Sequence, residues 1–175
     1  MTTPAPYLIG PETKRLFHRA FAVDDAERAF ELNSNADVMR YTGDTPLASV
    51  DEARDFIDNY PDFDDVGYGR WACVLKETQT VIGFCGLKYL ADLDVVDIGF
   101  RLLPSHWGQG LATEACTACL AFGFDVIDLS RIVAFVMPEN LPSIRVLEKS
   151  GMSFDGEFNY DGIETLRFVM TKPRS

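Results

Sequence analysis

The stretch Arg101-Leu102-Leu103-Pro104-Ser105-His106-Trp107-Gly108-Gln109-Gly110-Leu111-Ala112-Thr113-Glu114-Ala115 leaves an apolar strand-like run, crosses two glycines and enters a segment with helical periodicity. A strand-to-helix turn of this kind aims free backbone N–H groups at a point ahead of the helix. With the positive end of the helix dipole they favour a phosphate or pyrophosphate. Glycine suits the position because a side chain would hold a phosphate away from the backbone. A dinucleotide-binding turn, G-x-G-x-x-G/A, needs Gly or Ala where Thr113 stands. Asp125 and Asp128 have the right separation for the acidic partner but fall within or just after the predicted helix. The P-loop pattern fails too, because no Lys follows a suitably spaced Gly. From the glycines alone the turn is either a phosphate cradle or a tight connection.

Outward from that turn, Arg70–Lys76, Val81–Leu90 and Val95–Leu102 read as a strand meander rich in β-branched and aromatic residues. Gln109–Ile127 is the longest predicted helix, with Leu111, Ala115, Ala118, Phe122 and Val126 at helical intervals. Ile132–Met137 is a short strand, and Asn140–Ser150 a helix with Pro142 in its first turn and Gly151 as its stop. Met152–Phe158 and Glu164–Met170 suggest a closing hairpin through Asp161-Gly162. Towards the N-terminus, Arg15–Phe21 reads as a strand, followed by a helix capped by Asp24 or Asp25 and carrying Ala26, Ala29 and Phe30. Ser49-x-x-Glu52 is a capping box opening a second helix. Asp62–Asp65 is expected as loop, and residues 1–12, Pro-rich, as an unpacked lead-in. The order of elements gives a mixed α/β sheet.

The 175 residues carry 47% hydrophobic side chains and a formal net charge of −11, which predicts one soluble domain with a real core. An acidic chain argues against nucleic acid, whose binding needs a basic surface, and fits either a cationic amine or simple solubility. No apolar run is long enough to span a membrane and no leader pattern opens the chain, so the expected address is cytoplasmic. Cys73, Cys85, Cys116 and Cys119 are expected as reduced core thiols. Cys116-x-x-Cys119 lies inside the predicted helix without a second pair, and His18 and His106 are the only histidines, so no metal site is expected.

The run Ile98-Gly99-Phe100-Arg101-Leu102, Pro104, then Trp107 to Ala115, resembles the acetyl-CoA pyrophosphate loop of the GNAT N-acetyltransferases. It is most similar to the branch of ribosomal-protein N-terminal alanine and serine acetyltransferases. In the family signature Q/R-x-x-G-x-G/A, Gly110 and Ala112 match, while Trp107 replaces the leading residue and removes one polar side chain. Asn140-Leu141-Pro142-Ser143-Ile144-Arg145-Val146-Leu147-Glu148-Lys149-Ser150-Gly151-Met152 resembles the family's later helix. Thr13-Lys14-Arg15-Leu16, Arg40-Tyr41-Thr42-Gly43, Trp71-Ala72-Cys73-Val74 and Ile82-Gly83-Phe84-Cys85-Gly86-Leu87 extend the resemblance over residues 13–172, which imply a single acetyltransferase domain.

The resemblance implies the GNAT fold, a mixed, mostly antiparallel sheet whose two central parallel strands, here Val95–Leu102 and Ile132–Met137, splay apart between flanking helices. Acetyl-CoA would be the co-substrate. Its pyrophosphate would meet the amides of Gly108, Gln109, Gly110, Leu111, Ala112 and Thr113, and its pantetheine the main chain of Phe100, Arg101 and Leu102. The Leu102 N–H would stabilise the oxyanion as the amine attacks. Asn140 would contact the pantetheine or cap its own helix. Trp107 is expected as a packing anchor beneath the loop, and His106 as a solvent-facing loop residue.

Asp97, among apolar neighbours near the expected acetyl end, is the candidate base, with a carboxyl made more basic by partial burial, or else a structural residue. The family's tyrosine acid would fall at Leu147, so that role does not carry over. Ser143 would donate instead, or bond only to its own helix. The implied activity is N-acetylation of a primary amine, either a protein N-terminus or a small molecule, by direct attack on the thioester. The alternative is a non-catalytic acyl-CoA sensor or regulatory protein. Acceptor-facing residues are expected from Asp24–Arg40, Ser49–Tyr60 and the Asn159–Ile163 turn. A homodimer is compatible with the resemblance.

Overall fold

A computed structural model of the chain describes residues 5–174. The first strands, β1 (Ile9–Glu12) and β2 (Leu16–Arg19), pair antiparallel at one edge of the sheet. The expected lead-in is therefore corrected from Tyr7 onward; residues 1–4 lie outside the described residues. Tyr7 is held by its N–H on the Gly67 carbonyl at 2.7 Å and by an edge-to-face contact with Phe122. Gly10 lies so close to the buried Trp71 that a Cβ there would meet its ring at 2.8 Å.

Four helices follow: α1 (Ala26–Ser34), α2 (Ala36–Met39), α3 (Val50–Asp58) and α4 (Asp62–Asp65). Ser49 caps α3 by accepting from the Glu52 N–H at 3.1 Å, and Glu52 reaches back to the Ala48 N–H, one residue beyond the expected box. Asp25 stands at the N-cap of α1 but makes no cap bond. Its carboxylate takes the Ala22 N–H at 2.8 Å and pairs with Arg19 at 2.6 Å. The acidic run Asp62–Asp65 is one helical turn rather than loop, because Phe63 is drawn into the core beside Trp71. α1 and α3 pack through Ala26, Ala29 and Ala53, residues small enough to bring the two helices close.

The meander is β3 (Arg70–Leu75), β4 (Thr80–Leu90) and β5 (Val95–Leu102), followed by α5 (Leu111–Asp125), β6 (Arg131–Val136), α6 (Leu141–Lys149) and the hairpin β7 (Ser153–Tyr160) and β8 (Ile163–Thr171). Among the described residues eight strands run in the order β1-β2-β3-β4-β5-β6-β8-β7, and only β5 and β6 are parallel neighbours. This is the mixed, mostly antiparallel sheet with one central parallel pair that the resemblance implies. The main core lies between the sheet and α5, where Leu111, Ala115, Leu120 and Phe124 meet Ile82, Leu87 and Ile98. All four thiols are free and buried in that layer, and burial pushes them up from their ordinary acidity. Among the described residues no helix is long and apolar enough to cross a membrane.

Candidate active site

β5 and β6 touch in register at a single pair, Asp97↔Val133. Beyond it β5 continues to Leu102 on its β4 side alone, while β6 turns to β8. Leu103 donates its N–H to Ile82 at 2.8 Å, so in the alternating antiparallel ladder the amides of Phe100 and Leu102 face away from β4, into the gap. The gap opens into one cleft of about 1450 Å³ that reaches from the phosphate-type loop to the helices α1–α3. The Leu102 carbonyl is already taken by the Trp107 indole N–H at 2.7 Å, which leaves the Leu102 N–H as its free polar group.

The loop is built for exposed amides. Gly108 (φ 70°) and Gly110 (φ 76°) occupy the left-handed region, where a side chain is strained, and Gly110 is the N-cap of α5 without any side-chain cap. The N–H groups of Gly108 through Thr113 have no acceptor among the described residues. Behind the loop, Glu114 accepts from Thr13 Oγ1 at 2.6 Å, from the Arg15 N–H at 2.9 Å and from Arg15 Nε at 2.7 Å. Arg15 Nη1 also donates to the Gln109 carbonyl at 3.0 Å. The Thr13–Arg15 turn thus braces the first turn of α5, a role the sequence reading did not assign.

Gln109 faces away from the cleft, with its amide nitrogen on the Ser105 carbonyl at 3.1 Å. Trp107 is not beneath the loop: it is 48% exposed and forms part of the cleft wall. His106 is half-buried against the cleft rather than solvent-facing, and burial, reinforced by the Arg28 charge, lowers its basicity.

Across the gap, Asn140 caps α6, accepting from the Ser143 N–H at 3.4 Å, while its side-chain nitrogen has no partner among the described residues. The cap reading of Asn140 is met, and its free amide nitrogen remains available to a ligand in the cleft. The Ser143 hydroxyl makes no bond to its own helix and lines the cleft. Leu147, 2% exposed, belongs to the core and not to the site.

The opposite face of β5 carries Asp97, Gly99 and Arg101. Arg70 crosses the sheet from β3, donates to the Gly86 carbonyl at 2.6 Å and reaches Asp97 Oδ1 at 2.8 Å. Gly99 permits this passage, since a Cβ there would meet the guanidinium carbon at 2.7 Å. The expectation of Asp97 as an unpartnered, partly buried carboxyl is corrected: Oδ1 is committed to Arg70, and Oδ2 has no partner among the described residues. Arg101 bonds Asn33 at 3.0 Å, pairs with Asp44 and lies over the Phe84 ring, tying α1 and the loop after α2 to β5.

Asn33 from α1, Tyr41 from the segment after α2, and Phe56 and Ile57 from α3 line this end of the cleft. Tyr160 belongs to the Asn159–Ile163 turn expected on the acceptor side, though the sequence reading assigns it no individual role. It stacks on Phe135 at 5.2 Å and lines the cleft. Burial, then the charges of Asp92 and Asp97, raise its phenol above the ordinary value, so it is protonated and able to donate. Among the described residues no cluster of His, Cys, Asp and Glu is arranged to hold a metal.

Comparison with known proteins agrees with this geometry. Residues 15–153 match the family model of the acetyltransferase (GNAT) domain. The chain is 37% identical over 147 residues to p20 of Bacillus licheniformis, an uncharacterized N-acetyltransferase, covering 83% of this chain and 82% of p20. It is 32% identical over 171 residues to YoaA of Bacillus subtilis, also an uncharacterized N-acetyltransferase, covering 93% and 97%. Spermidine N(1)-acetyltransferase of Escherichia coli is 27% identical over 142 residues, covering 79% and 73%. Among solved structures, a GNAT-family acetyltransferase from Bacillus anthracis superposes with a TM-score of 0.79 at 28% identity, covering 93% and 98%. Spermidine N-acetyltransferase from Vibrio cholerae, solved with CoA and spermine, has a TM-score of 0.76 at 22% identity, covering 91% and 97%, a likeness of fold. The splayed strands, the bare amides of the loop and these matches converge: the chain belongs to the GNAT family and is an N-acetyltransferase.

Proposed function

We propose that this chain moves the acetyl group of acetyl-CoA to a primary amine entering from the α1–α3 side. The observation that carries the reading is the set of amides left open on one cleft, Phe100 and Leu102 on β5 and Gly108 to Thr113 on the loop. The pantetheine would bond the β5 amides as a strand, and the Leu102 N–H would steady the oxyanion. The amine nitrogen attacks the thioester carbon, the carbon–sulfur bond breaks and CoA leaves as thiolate. The proton shed by nitrogen goes to Asp97 Oδ2, directly or through water, and the thiolate is reprotonated from Ser143, Tyr160 or solvent. An α-amino group, with a reference pKa of about 8, asks little of such a base.

The matched loop Trp107-Gly108-Gln109-Gly110-Leu111-Ala112-Thr113-Glu114-Ala115 supports a protein N-terminus as acceptor. The spermidine acetyltransferase relatives support a small polyamine. The test is acetyl-CoA-dependent thiol release with Ser-, Ala- and Thr-starting peptides, spermidine, amino acids and an aminoglycoside. Turnover of one class supports the enzyme and names its acceptor. Leu147 in place of the family acid, and Asp97 tied to Arg70, favour a second reading as an acyl-CoA sensor. Tight CoA binding without turnover of any amine is its signature.

A further inference from the structure

We infer that α6 carries a second phosphate subsite, formed by Arg145 and Lys149, that takes the ribose 3′-phosphate of CoA and makes the enzyme discriminate CoA from dephospho-CoA. This rests on the acetyl-CoA reading of the cleft. Eleven of the sixteen Lys and Arg side chains are committed to ion pairs. Arg145 and Lys149 have no such partner among the described residues, and both line the cleft. They stand four residues apart, one turn or about 6 Å along the helix, and so share a face with Pro142 and Val146, which line the cleft as well.

The position of this pair fits a phosphate lying beyond the pyrophosphate. Ser150, next to Lys149, lies against the Cys116 thiol, one turn after Thr113 in α5. The end of α6 is therefore clasped to the helix whose first amides form the loop. The loop amides suffice for the pyrophosphate; the α6 cations are left over. CoA carries one further strong anion, a phosphate monoester on its ribose.

Two like charges at this spacing destabilise a helix, a cost relieved when a dianion bridges them. Lys149 alone gains from the helix C-terminus, which leaves Arg145 unexplained by that effect. Glu139, which also lines the cleft, sits before the first turn of α6, six residues before Arg145 and ten before Lys149. A chain of net charge −11 repels a polyanion at long range, so local cations are what make its capture favourable.

The test is the dissociation constant of CoA and of dephospho-CoA, by calorimetry, for the native protein, for Arg145→Gln/Lys149→Gln and for Arg174→Gln as a charge control away from the cleft. The native protein and the control bind CoA about 10-fold or more tighter than dephospho-CoA. The double variant binds CoA as weakly as dephospho-CoA, while its dephospho-CoA affinity stays within about twofold of native. Equal binding of the two nucleotides by the native protein, or discrimination surviving in the double variant, overturns the subsite. Binding of neither nucleotide overturns the acetyl-CoA reading beneath it.

Discussion

The two walls of the cleft are made from different materials. The wall proposed for the cofactor is largely backbone: unpaired amides on β5 and on the Gly108–Thr113 loop, held from behind by Glu114 and Arg15. The wall proposed for the acceptor is side chain: Arg70 laid across Gly99 to Asp97, Arg101 reaching Asn33 and Asp44, and Tyr160 stacked on Phe135. A backbone wall presents the same donors whatever the flanking side chains, and suits a ligand common to a whole family. A side-chain wall changes with every substitution, and suits the half of the reaction in which relatives differ.

Substitutions on either wall can break this contrast. Gly110→Asp puts a side chain on a left-handed N-cap and a negative charge where phosphate is to sit. It is expected to cost on the order of 100-fold or more in acetyl-CoA affinity with the fold retained, by calorimetry and circular dichroism. Unchanged affinity in the folded variant would sink the loop assignment. On the other wall, Arg70→Ala strands the Asp97 carboxylate, only 15% exposed, and is expected to destabilise the fold by roughly 3 kcal/mol in urea unfolding.

Asp97→Asn separates chemistry from structure: if Oδ2 takes the proton, kcat/KM falls about 10-fold or more near pH 7 and recovers as alkali supplies free amine. A loss equal at all pH values assigns Asp97 to holding Arg70 instead. Arg101→Ala unties α1 from β5; the acceptor KM is expected to rise about fivefold while the acetyl-CoA KM holds.

The smallest effect lies behind the cofactor wall. His18 is fully buried, with Nδ1 on the Pro11 carbonyl at 2.7 Å and Nε2 without a partner among the described residues. Burial lowers its basicity, so the folded protein keeps it neutral while the unfolded chain protonates at about pH 6.5. Its contribution to stability is present above that pH and lost as pH falls through and below it. Denaturant midpoints from pH 8 to 5 should fall less steeply in His18→Gln than in the native protein.

The same contrast explains what could be read from sequence. Gly108, Gly110 and the cap Asn140 are local devices, each specified by residues beside it in the chain, and the loop and both helix starts followed from them. The elements misread depend on distant partners. Nothing near Tyr7 or Gly10 announces that Gly67, Trp71 and Phe122 will fix them into an edge strand. Asp97 looked available because Arg70, 27 residues away, reaches it only once β3, β4 and β5 lie side by side. The turn holding Tyr160 was expected from sequence, but its stack on Phe135 depends on the last hairpin folding back against β6.

The lone pair Asp97↔Val133 makes the sheet two half-sheets stitched at one point, with a ladder missing its upper rungs. On the proposed acetyl-CoA reading, a pantetheine chain bonded along Phe100 and Leu102 would supply those rungs, so the substrate would mend the fold while it is being consumed. Amide exchange would record the repair: the N–H groups of Phe100 and Leu102 slow sharply with CoA bound, and slow least with fragments that end before the pantetheine.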